Sequence, residues 1–194
     1  MATMGQGPTV TATSIECDRV RLRKGRDDDA DGLIETQTDV RVRLYLGGPR
    51  AETEVRAILD SVGAASLLSA DGCYIVADKA SDEMLGTITL SRRGPELPGH
   101  VAADANELEL TYVFRPHAWR NGYATEAARG LLAYAAAELP EQPVIIVTQT
   151  ANQPSVRLAE RLGFIRVQAF EQYDAEQTLA IARLSTFLDP KLTP

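Results

Sequence analysis

The sequence predicts a mixed α/β fold, in which helices flank a sheet that contains a parallel strand pair. The first indication is a strand at residues 107–114, followed by a turn at Gly122 and a helix. The second is the continuous apolar run PVIIV at residues 143–147, which is typical of a strand covered on both faces. A strand, a crossover helix and a second strand of this kind pair in parallel, with a right-handed connection.

The elements before residue 107 follow from periodicity and from turn residues. In chain order they are an edge strand at 20–23, a helix beginning at 27–29, helical turns at 38–46 and 51–62, and a hairpin with strands at 73–77 and 84–90. A polar loop from Ser91 to Asn106 follows. Its length favours a mobile wall of a cleft over simple disorder.

Alternation along residues 107–114 divides that strand into two faces. One face carries Leu108, Leu110, Tyr112 and Phe114, and the other carries Glu107, Glu109, Thr111 and Val113. The helix after Gly122 has small and apolar residues at helical spacing, so its apolar stripe should pack on the sheet. Asn152 suits the N-cap of a further helix and Gly163 its C-terminal cap. Two closing strands are predicted at 164–170 and 178–184.

Length and composition indicate one ordinary globular domain, which we place at residues 15–190. Residues 1–14, MATMGQGPTVTATS, are expected to be a flexible leader, since they lack the basic and apolar regions of a signal peptide. We therefore expect a cytoplasmic protein. No apolar run approaches the roughly 20 residues of a membrane span, so a membrane is not an expected partner.

The net charge and the small number of metal-ligating residues disfavour further classes of function. Twenty basic and 27 acidic residues give a net charge of −7, which argues against a nucleic-acid partner and suits a cationic substrate such as an amine. The two cysteines and two histidines have no metal-ligand spacing, so no metal is expected. Residues 115–129 reverse the charge trend, with three arginines and one histidine against Glu126 alone. This local basicity indicates a bound anionic group.

The same segment has the form of an anion-binding turn. The free N–H groups of the helix's first turn, and the positive end of its dipole, would point beyond the strand. Gly122 would let a ligand approach the backbone closely, and Arg115, His117 and Arg120 add donors suited to phosphate. The segment matches neither the P-loop pattern nor the dinucleotide fingerprint, so no motif favours a nucleoside triphosphate or a dinucleotide.

Residues 119–127, WRNGYATEA, resemble the W-G-x-G-Y-A-T-E-A signature of the GNAT superfamily of acyl-CoA N-acyltransferases. The nearest branch is the Rim-type one, which includes the bacterial ribosomal-protein N-terminal acetyltransferases. Residues 152–155, NQPS, and 162–164, LGF, resemble that branch's N-x-x-S and LGF segments at the expected distance downstream. The resemblance extends loosely over residues 20–186. It implies a strongly twisted sheet with central strands that splay apart, and acetyl-CoA as cosubstrate.

The resemblance also implies where acetyl-CoA lies. The pyrophosphate would lie on the amides of the turn, and pantetheine would run beside the preceding strand. The implied cofactor-binding residues are Val113, Phe114, Arg120, Asn121, Gly122, Tyr123, Ala124, Thr125 and Asn152. A valine in place of Gly122 should block CoA binding, because a β-branched side chain would intrude where the backbone meets the phosphate.

Two residues are candidates for the catalytic chemistry. Glu109 could deprotonate the acceptor ammonium through water, with Glu107 as its competitor and a merely charge-paired strand residue as the alternative. Ser155 matches the serine thought to protonate the departing thiolate in the related enzymes, although at N3 of a helix it could instead be a cap. Many superfamily members carry a tyrosine where this chain has Ala159, so the acid could also be Tyr173 or solvent.

The function predicted is direct acetyl transfer from acetyl-CoA to a primary amine, either a protein or peptide N-terminus or a small molecule such as an aminoglycoside. The alternative from another class is a catalytically silent acyl-CoA-binding sensor or interaction module. An acyl-CoA hydrolase is disfavoured, since no nucleophile is recognisable. A homodimer is a further expectation.

Overall fold

The computed structural model describes residues 7–188. Its strands are β1 (Ser14–Glu16), β2 (Val20–Arg23), β3 (Cys73–Asp78), β4 (Met84–Arg92), β5 (Leu108–Phe114), β6 (Pro143–Gln149), β7 (Ile165–Gln172) and β8 (Ala175–Arg183). Its helices are α1 (Ala30–Thr38), α2 (Glu52–Val62), α3 (Ala64–Leu67), α4 (Tyr123–Glu138) and α5 (Gln153–Leu162). The strands form one sheet in the order β1-β2-β3-β4-β5-β6-β8-β7. The predicted mixed α/β fold is confirmed.

The predicted parallel pair is that of β5 and β6. Leu108 lies opposite Val144, and Glu109 lies opposite Ile145. These two pairs are the whole parallel register within the described residues, although each strand has seven residues. Strand β6 instead pairs with β8 along its full length, in antiparallel register. Strands β5 and β6 therefore part after their first residues, as the resemblance implied.

The described residues pack as two compact units, and the single domain at residues 15–190 stays a prediction. The first unit comprises residues 12–88 and 112–127, and the second comprises residues 7–11, 89–111 and 128–188 of the described range. The expected leader is described only from Gly7 onward. There Val10 is buried, and the Thr9 hydroxyl donates to the carbonyl of Leu90 at 2.5 Å. Residues 1–6 lie outside the described residues, and the leader at residues 1–14 stays a prediction.

Helices α1 and α2 pack with β3 in the core of the first unit. Its buried side chains are Leu33, Ile34, Val55, Leu59, Ala64, Ile75, Ala77 and Met84. The helical turns predicted at 38–46 are not a helix, since α1 ends at Thr38 and turns follow. The carboxylate of Asp39 accepts the N–H groups of Arg41 and Val42, which offers the backbone an alternative to helical hydrogen bonds.

Helix α5 and the strands β6, β8 and β7 belong to the second unit. The side chains of Val144, Ile145 and Ile146 are buried, as the apolar run predicted. Asn152 is the N-cap of α5, and Gly163 ends the helix with a left-handed φ of 96°. Both predicted caps are therefore confirmed, and they fix where the segment that carries Ser155 begins and ends.

Candidate active site

The turn between β5 and α4 reverses the chain through two residues with positive φ. Arg120 has φ 62° and Gly122 has φ 81°. The first hydrogen bond of α4 runs from the Glu126 N–H to the Gly122 carbonyl, at 3.0 Å. The N–H groups of Tyr123, Ala124 and Thr125 therefore precede the intrahelical bonds and can bind an anion.

Arg19, which the sequence did not single out, lies against this turn in the first unit. Its Nη1 donates to the Asn121 carbonyl at 3.0 Å. Its Nε and Nη2 both lie 2.8 Å from Glu126 Oε2. Its guanidinium carbon also lies 5.0 Å from the centroid of the Tyr123 ring, which is cation–π range. A basic residue just before a short strand carries no local signal of this role.

Gly122 is constrained from a direction that the sequence did not indicate. A Cβ built at Gly122 would lie 3.3 Å from Arg19 Nη2. A side chain here would thus approach Arg19, and its intrusion on a bound ligand stays a prediction. The positive φ disfavours a β-branched residue in any case.

The end of β5 is held by two close contacts within the first unit. The indole Nε1–H of Trp119 donates to the Phe114 carbonyl at 2.8 Å. A Cβ at Gly86 would lie 2.8 Å from Phe114 Cα and closer still to the Val113 carbonyl oxygen. Gly86 therefore permits a backbone approach that no other residue allows. Trp119 thus fixes the position of the Phe114 carbonyl.

Arg115 and His117, two of the expected phosphate donors, are engaged elsewhere. Arg115 Nε lies 2.6 Å from Glu35 Oε2, and its Nη1 lies 3.1 Å from Glu83 Oε1. His117 Nε2 lies 3.4 Å from the same Glu83 oxygen. Arg115 and His117 are therefore paired with carboxylates, and the backbone N–H groups are the better anion ligands of this turn.

In the second unit, Glu109 forms an ion pair with Arg93. Glu109 Oε2 lies 2.8 Å from Arg93 Nη1, and the two side chains are 14% and 3% exposed. Burial raises the pKa of Glu109, and the charges of Arg93 and His100 offset this only in part, so the pKa stays above its ordinary value. A partly accessible carboxylate with a raised pKa suits a general base.

Glu107 has a different environment in the same unit. Its side chain is buried, and its carboxylate accepts the N–H groups of Val101 and Ala102 at 2.5 and 2.6 Å. His100 Nδ1 lies 2.6 Å from the other carboxylate oxygen. Burial raises the pKa of Glu107, but the hydrogen bonds from His100 and the backbone outweigh it, so the pKa lies below its usual value. Glu107 therefore holds the loop before β5 and is the poorer base.

The start of α5 carries Asn152 and Ser155. Ser155 is the third residue of α5, which begins at Gln153. Its backbone N–H donates to Asn152 Oδ1, 3.4 Å away. The side-chain oxygen of Asn152 is thus engaged in capping. Tyr173, the other protein candidate for the acid, is 79% exposed in the turn between β7 and β8.

The structure groups the residues predicted from the sequence into two sets. The first unit holds Val113, Phe114, Arg120, Asn121, Gly122, Tyr123, Ala124 and Thr125. The second unit holds Glu109, Asn152 and Ser155. Within residues 7–188, no helix combines the length and apolarity needed to cross a membrane. The same range contains no group of three or more His, Cys, Asp or Glu side chains arranged for a metal ion.

Comparison with known proteins gives a consistent assignment. The acetyltransferase (GNAT) domain family matches residues 19–165. The uncharacterized N-acetyltransferase YoaA of Bacillus subtilis is 27% identical over 161 residues, which cover 82% of this chain and 86% of YoaA.

Solved structures share the fold. A GNAT-family acetyltransferase from Bacillus anthracis superposes with a TM-score of 0.69 at 22% identity, over 88% of this chain and 98% of that one. RimL, a ribosomal L7/L12 alpha-N-protein acetyltransferase, has a TM-score of 0.65 at 14% identity, over 92% and 99% of the two chains. These two structural matches, at 22% and 14% identity, show the fold alone. The match to the family covers residues 19–165, which is most of the chain, and so shows the family. The protein belongs to the GNAT family of acetyltransferases.

Proposed function

We propose that this protein transfers the acetyl group of acetyl-CoA directly to a primary amine. The observation that carries the proposal is the turn at Gly122, where the N–H groups of Tyr123, Ala124 and Thr125 precede the first hydrogen bond of α4. A diphosphate is among the anions that such a helix start can bind. CoA carries one, and the family to which the chain belongs uses acetyl-CoA.

The remaining cofactor contacts are assigned to the end of β5 and to Asn152. The backbone of Val113 and Phe114 would pair with the pantetheine amides, and an N–H there would stabilise the developing oxyanion. The Phe114 carbonyl already accepts from Trp119, which fixes this backbone in place. Asn152 would contact pantetheine while it caps α5.

The reaction needs no covalent enzyme intermediate. The neutral amine nitrogen attacks the thioester carbon, a C–N bond forms, and the C–S bond breaks with release of the CoA thiolate. The extra proton that the nitrogen then carries passes to that thiolate or to solvent. Glu109 accepts the proton of the acceptor ammonium through water, for which its raised pKa is suited. Ser155 would at most orient or relay a proton to the thiolate, which leaves without an obligatory acid because a free thiol has a pKa of about 8.5.

The acceptor class that we favour is the α-amine of a protein or peptide. An α-amine has a pKa of about 7.7–8.0 and a lysine-type amine one of about 10.4, so a carboxylate can deprotonate the first with much less help near neutral pH. The N-x-x-S segment at residues 152–155 and the signature around Gly122 resemble the Rim-type branch, which supports the same choice. A small amine, such as an aminoglycoside, is the other acceptor class.

The first test is calorimetric titration of the full chain with desulfo-CoA and acetyl-CoA. We expect micromolar binding of both. Release of CoA thiol is then measured with three matched peptides: one with a free α-amine, one acetylated at that amine, and one acetylated there but carrying a lysine. Turnover of the first alone supports an N-terminal acetyltransferase.

Other outcomes separate the alternatives. Turnover of aminoglycosides or polyamines, but not of peptides, would assign a small-molecule acceptor. Binding of acetyl-CoA without turnover of any amine would support the silent acyl-CoA-binding module. Absence of CoA binding at millimolar concentration would contradict the proposal itself.

A further inference from the structure

Arg19, the residue before β2, contacts both ends of the Gly122 turn. Its Nη1 donates to the Asn121 carbonyl at 3.0 Å, between the two residues with positive φ. Its Nε and Nη2 bind the Glu126 carboxylate in the first turn of α4. One planar guanidinium therefore fixes the positions of the last loop residues and of the helix start together.

The backbone on each side of Arg19 strengthens this connection. The N–H groups of Arg19 and Val20 donate to Glu126 Oε1 at 2.6 and 3.1 Å. Both oxygens of Glu126 are thus bound by the segment at residues 19–20. The side chain of Glu126 is mostly buried, whereas that of Arg19 is 54% exposed. Arg19 can therefore be replaced without opening a cavity in the core.

The turn needs such support because its conformation is unfavourable by itself. Arg120 is a non-glycine residue at φ 62°, a region that L-residues rarely adopt without help from surrounding contacts. The Asn121 side-chain amide donates to the His117 carbonyl at 3.2 Å, and Arg19 holds the Asn121 carbonyl. Without the Arg19 side chain, the Asn121 carbonyl would lose this donor, and of these contacts Glu126 would keep only those from the backbone N–H groups of residues 19 and 20.

Charge gives Arg19 a second role at the same place. Glu126 lies in the first turn of α4, the helix end that we assign to the diphosphate of acetyl-CoA. An unpaired carboxylate there would repel that anion, although it complements the helix dipole. The guanidinium of Arg19 balances this charge at a distance of 2.8 Å.

We propose that Arg19 is a positioning residue for the diphosphate of acetyl-CoA, since it holds the Gly122 turn in its binding conformation and neutralises Glu126. This inference rests on the proposed function. Arg19 acts through Asn121 and Glu126 and takes no part in the chemistry. Its loss should therefore weaken cofactor binding without changing the rate of transfer from bound acetyl-CoA.

The test compares Arg19→Gln with Arg21→Gln in the full chain. Arg21 is the matched control because it lies two residues away and pairs with Glu16 at the surface. We expect Arg19→Gln to raise the Kd of desulfo-CoA, and the KM of acetyl-CoA, by about tenfold or more, as the loss of a charge-assisted contact would. The kcat at saturating acetyl-CoA should stay within about twofold, and Arg21→Gln should resemble wild type.

Two further measurements distinguish positioning from general damage to the fold. Turnover of S-acetyl-N-acetylcysteamine, a thioester donor without a diphosphate, should be the same in wild type and Arg19→Gln. The double variant Arg19→Gln/Glu126→Gln should bind desulfo-CoA more tightly than Arg19→Gln alone, because the unpaired charge is gone. A double variant that binds no better would overturn the neutralising role.

Failure of this inference can be told apart from failure of the proposed function. Unchanged desulfo-CoA affinity in Arg19→Gln, or an equal loss with S-acetyl-N-acetylcysteamine, overturns the positioning role and leaves the acetyltransferase proposal intact. Absence of desulfo-CoA binding by the wild-type protein overturns both.

Discussion

Glu107 and Glu109 lie two residues apart in the chain, yet their carboxylates have opposite environments. Glu107 accepts hydrogen bonds from two backbone N–H groups and from His100, and its pKa is lowered. Glu109 forms an ion pair with Arg93, its side chain keeps some exposure, and its pKa is raised. The alternation that predicted both on one face of a strand therefore does not give them one role, and Glu107 lies just before β5.

Glu109→Gln should lower kcat by about 10²-fold or more, the usual size of general-base catalysis. The affinity for desulfo-CoA should change little, because the amide keeps the shape of the carboxylate. Since the base must be deprotonated, the kcat/KM of the wild type should rise with pH through the pKa of Glu109. That rise lies above the ordinary carboxyl range, because the pKa is raised. Steady-state rates across pH and calorimetry with desulfo-CoA check both expectations.

A rise with pH that persists unchanged in Glu109→Gln would show that another group titrates. Parallel loss of desulfo-CoA affinity and kcat would instead indicate a structural role for Glu109, through its ion pair with Arg93.

Glu107→Gln is the matched substitution, and we expect it to act on stability. The amide offers one acceptor oxygen where the carboxylate binds donors with both, so a buried N–H or the His100 ring loses its partner. The expected cost is about 1–3 kcal/mol in the free energy of unfolding. Because the pKa of Glu107 is lowered, its contribution is present above the unfolded pKa and is lost as pH falls through the folded one.

Urea unfolding of both variants at neutral pH and in acid measures this difference. If Glu107→Gln proved as stable as wild type, yet lost activity like Glu109→Gln, the roles assigned to the two carboxylates would be exchanged.

The sequence predicted those features of the site that depend on neighbouring residues. The caps at Asn152 and Gly163, the strand that ends at Phe114 and the start of α4 after Gly122 all follow from local patterns. Arg19 could not be found in this way, because it contacts Asn121 across 102 positions of the chain. The apolar alternation of β5 likewise says nothing of Arg93, whose ion pair with Glu109 partly offsets the rise in pKa that burial causes.

Gly122→Val should abolish desulfo-CoA binding, because φ 81° disfavours a β-branched residue and the new Cβ would press on Arg19 Nη2. Gly47→Val is a matched control. Gly47 has φ 83°, and no atom lies within 4 Å of a Cβ built there. It should lose a similar amount of stability without affecting CoA. Thermal unfolding of the two variants measures the cost of backbone strain, and calorimetry with desulfo-CoA measures the loss of binding. Equal CoA affinity in both variants would show that the Gly122 turn does not bind CoA.

Gly86→Ala tests the close backbone approach at the end of β5. The added methyl group would lie 2.8 Å from Phe114 Cα and closer to the Val113 oxygen, so the backbone has to move. We expect a loss of about 1–3 kcal/mol in the free energy of unfolding and a higher KM for acetyl-CoA, because Val113 and Phe114 are assigned to pantetheine. Thr87→Ala, at the next position of β4, should show neither effect. A Gly86→Ala variant with a normal KM for acetyl-CoA would show that this backbone takes no part in cofactor binding.

Ser155→Ala should lower kcat by less than the ~10²-fold at the low end of general acid catalysis. The CoA thiolate is a competent leaving group, and the backbone N–H of Ser155, which Asn152 caps, survives the substitution. Asn152→Ala removes the cap itself and should cost about 0.5–2 kcal/mol of stability. Rates at saturating acetyl-CoA, with unfolding curves for both variants, separate the two contributions. A larger fall in kcat for Ser155→Ala, with stability and desulfo-CoA affinity unchanged, would show that the departing thiolate does require the serine proton.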